Sequence, residues 1–237
     1  MRIAMWSGPR NLSTAMMYAF GARSDCAVID EPFYAAYLSK TGLRHPMRDE
    51  ILAAQPVCPK DVVHNLLGPV PRKKAHFYQK HMAQHMIDGI PRNWISELTN
   101  VFLIRHPVRV AASFSSKFDR PTLADIGFEQ QVELFDLVKS FEGNPVVIDS
   151  ADIRRAPETM LRQLCTAVGL SWDPAMLSWP KGGHPDDGVW AQHWYASVHA
   201  STGFSQPETE LPKLAPDQQV LADAAMPFYE ILKQHAL

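Results

Sequence analysis

Short apolar runs, almost uninterrupted and separated by helix-like stretches, constrain the fold of this chain more than any other feature. Four of them read as buried strands: Ile3 to Trp6, Ala27 to Asp30, Val101 to Ile104 and Pro145 to Asp149. A fifth and weaker run spans His76 to Lys80. A strand with one face in water alternates apolar and polar residues, whereas a run without alternation fits a parallel strand covered on both faces. Helical spacing fills intervals at Leu12 to Gly21, Pro107 to Phe118, Phe128 to Phe141 and Pro157 to Val168, and a closing helix fits Asp217 to Gln234. Pro157 in the first turn and Gly169 just past the end bound their helix from both sides. Strand alternating with helix predicts a three-layer α/β fold around a mostly parallel sheet. At 237 residues the chain suits a single domain, 1–237. Within it, residues 38–74 read as a helical insertion on one edge, and the Pro-, Gly- and Trp-rich stretch 171–216 as a long wrapping loop or lid.

The net charge of −2 gives no global attraction for nucleic acid or an anionic membrane, so neither is an expected partner. No run of 18 or more apolar residues exists, and the amino terminus enters a strand-like segment directly. Neither a membrane span nor a signal peptide is therefore expected. Cys26, Cys58 and Cys165 are odd in number and follow no metal-ligand spacing, which suits reduced thiols in the cytoplasm. Nothing in the pattern decides the oligomeric state.

Two strand ends carry the chemistry. The first strand leaves through Gly8-Pro9-Arg10-Asn11-Leu12-Ser13-Thr14 into a helix. Unpartnered N–H groups at that helix start, with the positive end of its dipole, favour a phosphate or sulfate. Ser13 and Thr14 add hydroxyl donors and Arg10 a permanent cation able to bind in bidentate fashion. The same stretch alone also fits a helix capped by Asn11 or Ser13 after a tight turn. It is not the usual nucleotide loop, which would need a Gly-Lys pair before the last hydroxyl. The fourth strand runs into Arg105-His106-Pro107, with Ser113 eight positions beyond the arginine. Taken singly this is a helix start; taken with the first loop, both groups converge on one phosphate at the carboxyl edge of the sheet.

Together the two stretches resemble the sulfotransferase superfamily that uses the donor PAPS (3′-phosphoadenosine-5′-phosphosulfate). Its first loop often reads PKSGTTW or PRxGST and holds the 5′-phosphosulfate; its second motif, RxPxxxxxS, holds the 3′-phosphate. Pro9 to Thr14 match the first, with Leu12 in place of the common glycine, and Arg105, Pro107 and Ser113 match the second. Val147 to Ile153, then Pro157 and a helix to Gly169-Leu170, are similar to a later strand-and-helix segment of that family, with Ile148-Asp149-Ser150 in place of its usual Tyr-Glu-Asp. Lys181-Gly182-Gly183 through Trp190 are similar to its glycine-rich loop over the donor. The subgroup with SGPRNLST and a following Asp-Glu-Pro is often labelled aminotransferase-like, yet no lysine context for pyridoxal phosphate stands out here.

The resemblance implies sulfuryl transfer from PAPS to a hydroxyl or amine of a small-molecule acceptor, with no metal. It implies that Arg10, the loop N–H groups, Ser13 and Thr14 neutralise the leaving group, and that Arg105 and Ser113 set donor affinity. Two residues compete for the acceptor's base. Glu31 ends the second strand on the same edge as Arg10, where a salt bridge to Arg10 or Arg105 is its other reading; His81, beside Lys80 after the third strand, is the rival. His81 and His85 would share a helix face if that stretch were helical, but Met82 stands where a zinc motif needs glutamate. Trp190, Trp194 and Tyr195 read either as acceptor-pocket lining or as core. Two other functions stay open: a P-loop-like kinase using ATP, with Asp149 as the candidate magnesium carboxylate, and a non-catalytic binder of PAP, the spent donor.

Overall fold

The computed structural model describes residues 1–237. Five parallel strands, β1 (Arg2–Ser7), β2 (Cys26–Asp30), β3 (His76–Met82), β4 (Thr99–Ile104) and β5 (Val146–Asp149), form one sheet in the order β2-β3-β1-β4-β5. The weakest run in the sequence, β3, is a central strand. Its alternating Gln79, Lys80 and His81 hide it from a search for continuous apolar residues, yet all three are buried.

Helix α1 (Ser13–Gly21) follows β1. Helices α2 (Tyr34–Thr41), α3 (Arg48–Ala54) and α4 (Pro59–Leu67) lie between β2 and β3. After β4 come α5 (Pro107–Ser115), α6 (Leu123–Ile126) and α7 (Phe128–Glu142). After β5 come α8 (Ser150–Arg155), α9 (Pro157–Ala167), the short α10 (Ala191–Trp194) and α11 (Ala196–His199), and the closing α12 (Pro216–Lys233).

Strand alternation divides the core into two. Ile3, Met5, Val101 and Leu103 point to one face and pack with Met16, Met17 and Phe20 of α1 and Leu161 and Leu164 of α9. Ala4, Trp6, Phe102 and Ile104 point to the other, against Leu134 and Phe135 of α7 and Leu232 of α12. Helices on both faces of a parallel sheet make the three layers that the continuous apolar runs require. No helix is long and apolar enough to cross a membrane.

Because the strands are parallel, β1, β2, β3 and β4 all deliver their carboxyl ends to one edge of the sheet, and β1 stands between β3 and β4. Chain direction diverges there, which opens the crevice in which open α/β sheets bind ligands.

Candidate active site

The loop after β1 is built around two left-handed residues that are not glycine, Arg10 (φ 63°) and Leu12 (φ 72°). A side chain in that conformation costs roughly 1 kcal/mol or more, so surrounding contacts must impose it. Asn11 supplies one: fully buried, it donates from Nδ2 to the Leu103 carbonyl at 3.3 Å. Leu12 therefore sits where glycine would be unstrained, which accounts for glycine's place in the similar loops. No side chain caps α1. The plain reading of this stretch as a capped helix fails, and the N–H groups of the first turn stay open toward the crevice.

The second strand end joins the first directly. Arg105 donates from a terminal nitrogen to the Arg10 carbonyl at 2.7 Å, and Arg10 Nε donates to Ser113 Oγ at 2.8 Å. Burial and the nearby Arg105 lower the Arg10 pKa, the mark of a guanidinium short of counter-charge. Arg105, Arg109 and Arg154 also converge on a single carboxylate, Glu208, whose side chain is only 6% exposed. Arg109 Nε lies 3.0 Å and a terminal nitrogen of Arg154 3.5 Å from it. Three guanidiniums around one carboxylate leave positive charge in excess, which suits a further or a competing anion.

The other two strand ends meet in a buried polar knot. Lys80 Nζ, on β3, lies 2.8 Å from both Asp30 Oδ1 and Glu31 Oε1 and 2.5 Å from the Tyr195 hydroxyl. That hydroxyl also accepts from Trp190 Nε1 at 2.9 Å and donates to Asp30 at 2.8 Å. Burial works against the charged lysine, but the two carboxylates outweigh it and hold its pKa above the ordinary value. Burial pushes the Asp30 carboxyl up, against the pull of Lys80 and with the help of Glu31. Glu31 sits at φ 37°, pinned by its N–H on the Lys80 carbonyl and its carbonyl on Gln55.

Pro9 to Thr14, Glu31, Lys80, Arg105 and Ser113 all line one cavity of about 440 Å³. Four expected residues lie elsewhere. His81, the rival to Glu31, does not line the cavity: alternation along β3 turns it to the face opposite Lys80, where it stacks on Trp6 with ring centroids 4.4 Å apart. Burial lowers its pKa to about 3, and it lies on a strand rather than on a zinc-binding helix face. Gly8 supports the loop from behind, since a Cβ there would come 2.4 Å from the Ile126 carbonyl. Lys181 and Gly182 do not reach the cavity; Gly182 donates to the His199 carbonyl. Trp194, Tyr195, Ser197, Val198, Ser201, Gly203 and Ser205 take the covering place instead, while Trp190 is core. Asp149, the carboxylate a magnesium kinase would need, is occupied by the Ala151 N–H, the Tyr229 hydroxyl and Lys233.

Sequence reasoning missed Arg109, Arg154 and Glu208, and considered His85 only as a zinc partner of His81, whereas it lines the cavity. Arg109 carries a weak signal, one helical turn after Arg105; Glu208 carries none, because it lies in a stretch without periodicity.

A family model described as a sulfotransferase domain matches residues 1–236. The chain is 38% identical over 234 residues to "Branched-chain-amino-acid aminotransferase-like protein 1" of Arabidopsis thaliana, and 36% identical to its protein 2. Those alignments cover 98% of this chain but 42% and 41% of the relatives, so the chain spans less than half of their length. Among solved structures, a sulfotransferase from Alicyclobacillus acidocaldarius superposes with a TM-score of 0.55 at 14% identity, covering 99% of this chain and 96% of that one. The sulfotransferase domain of the Synechococcus PCC 7002 olefin synthase gives 0.52 at 18%, covering 94% of each. At such identities the likeness speaks for the fold.

Proposed function

The chain belongs to the sulfotransferase domain family, and from that premise we propose that it moves a sulfuryl group from PAPS to a hydroxyl or amine of a small acceptor. One observation carries the reading: Arg10, Arg105 and Ser113 are bonded to one another beside the uncapped start of α1, at the rim of one cavity. Backbone donors and fixed cations of this kind match the needs of a leaving 5′-phosphate and a bound 3′-phosphate.

In this reading Arg10 and the loop N–H groups take up charge as it moves to the departing phosphate, with Ser13 and Thr14 lining the same loop. Arg105 and Ser113 grip the 3′-phosphate. Glu31 accepts the acceptor's proton: its Oε1 is tied to Lys80, while Oε2 takes no hydrogen bond from the protein and is free for an incoming hydroxyl. Lys80 is a positioning residue, and Tyr195 and Asp30 fix it in turn. The three cysteines are free thiols, one of them exposed, which fits a cytoplasmic setting.

Calorimetric titration with PAP, beside ATP-magnesium and 5′-AMP, tests the donor assignment on wild type and Arg105→Ala. Micromolar PAP binding, weaker AMP binding and loss of PAP affinity in the variant support it. Tighter binding of ATP-magnesium, or an Arg105→Ala variant indistinguishable from wild type, would refute it. Turnover of PAPS with an acceptor then separates an enzyme from a protein that only binds PAP.

A further inference from the structure

The cavity has two unlike ends. Arg105 and Arg154 line one; beyond Glu31 and Lys80 the other is walled by aromatic rings, and Arg10 stands where the two meet, reaching the Trp194 carbonyl at 3.5 Å. Phe114 stacks on Phe118 with centroids 5.3 Å apart and on Trp194 at 6.3 Å, giving one continuous aromatic wall. On a second wall the His85 ring is stacked on both Tyr34 and Tyr37, with centroids 4.8 Å apart in each case. Ring faces carry negative quadrupole charge and attract cations, most strongly where water is excluded.

The charges at this end have the same sign as the ring faces. Asp125 lines the cavity and uses only Oδ2 within the protein, accepting from the Thr122 N–H at 2.8 Å and its hydroxyl at 2.7 Å. Its Oδ1 has no protein partner. Glu31 and Asp30 together outnumber the one ammonium of Lys80. His45 and His85 add no compensating positive charge near neutral pH, because burial lowers both imidazole pKa values. His85 is only 2% exposed, and its Nδ1 and the His45 Nε2 are buried without a partner. A nucleotide in the arginine end leaves this end room for a small acceptor only.

We propose that the acceptor is a small alcohol carrying an ammonium group, its cation held against the aromatic walls and Asp125 and its hydroxyl beside Glu31. The assignment rests on the sulfuryl-transfer reading above. An anionic acceptor would be repelled by Asp125 and Glu31; a neutral one would gain contact with the rings but nothing from the carboxylates. In the transfer, the acceptor oxygen forms a bond to sulfur while the bond from sulfur to the 5′-phosphate oxygen breaks. The electron pair leaves with PAP, and the hydroxyl proton passes to the Glu31 carboxylate.

The test is calorimetric titration of the PAP-saturated protein with choline and with 3,3-dimethylbutan-1-ol, its uncharged carbon isostere. The same comparison between ethanolamine and propan-1-ol covers a smaller ammonium. In at least one pair the cation binds about tenfold or more tightly than its neutral partner. Asp125→Asn reduces that ratio at least about threefold while PAP affinity stays at the wild-type value. Equal affinities within both pairs, or tighter binding of the neutral members, overturn the proposal, and so does a failure of all four to bind. The wild-type comparison stands without the variant, should loss of the Asp125 carboxylate loosen its turn. Failure of PAP itself to bind would instead remove the donor reading, and this proposal with it.

Discussion

His81 offers a quantitative test of the packing that excludes it from the cavity. Its ring lies against Trp6 and within about 6 Å of Phe33 and Trp94, and its Nε2 is 3.1 Å from Gln79 Oε1. In the folded chain burial lowers its pKa to about 3, against an ordinary 6.5. Between those values the unfolded chain takes a proton that the folded chain refuses. Stability is therefore complete above about pH 6.5 and falls as the pH falls, by about 1.4 kcal/mol per unit. At pH 5 the loss is about 2 kcal/mol from this side chain alone, a sizeable part of the roughly 5–15 kcal/mol that hold a domain folded. The perturbation is His81→Phe, which keeps a ring in the stack and removes the titration. Urea unfolding of wild type and variant, followed across pH 7.5 to 5, gives the difference in stability at each pH. Contributions common to both proteins cancel in it: His85 falls with His81, whereas the raised Asp30 and Glu142 carboxyls act in the opposite direction. Wild type should lose about 1.4 kcal/mol more than the variant for each pH unit below 6.5. Parallel curves would mean that His81 protonates in the folded state, and the argument from burial would be wrong. PAP binding should be unchanged in the variant, since His81 does not line the cavity.

Lys80→Met leaves Asp30 and Glu31 facing each other unpaired, so unfolding at pH 7 should show a loss of about 3–5 kcal/mol, shrinking toward pH 5 as Asp30 takes up a proton. A loss below about 1 kcal/mol would show that the knot is open to water. Glu208→Gln removes the carboxylate from among three arginines and should raise PAP affinity by about tenfold in calorimetry at low salt; weaker binding would mean that Glu208 organises the site rather than competing for it. Gly8→Ala drives a methyl against the Ile126 carbonyl and should lower stability in a thermal melt by about 1–3 kcal/mol, with a matching fall in PAP affinity as the loop shifts. An unchanged melting temperature would show that the loop has slack.

Much of the arginine-lined end of the cavity was legible because it depends on features local in sequence. A strand end, a loop and a helix start are contiguous, so Arg10, Ser13, Thr14, Arg105 and Ser113 could be placed on one sheet edge from strand direction alone. The continuous runs announced a sheet covered on both faces, and only β3 was faint, because Lys80 and Gln79 interrupt it. What that interruption meant lay beyond the sequence: Lys80 is buried because Asp30, Glu31 and Tyr195, from β2 and from 115 residues further on, satisfy it.

The chain's order of residues determined the parallel sheet and the two strand ends rich in cations and open N–H groups, since both follow from periodicity and from which backbone groups a helix start leaves open. Tertiary structure alone separated Glu31 from His81, placing the first on the cavity wall and the second against Trp6 outside it. Adjacent residues on a strand point to opposite faces, but which face holds the cavity depends on how the helices pack. It alone brought Glu208 from an aperiodic segment onto three arginines, and Asp125 and the aromatic walls to the far end of the same cavity. Glu208 meets Arg105 across 103 residues of chain, and the energy of such contacts comes from desolvation and charge, which no local pattern records.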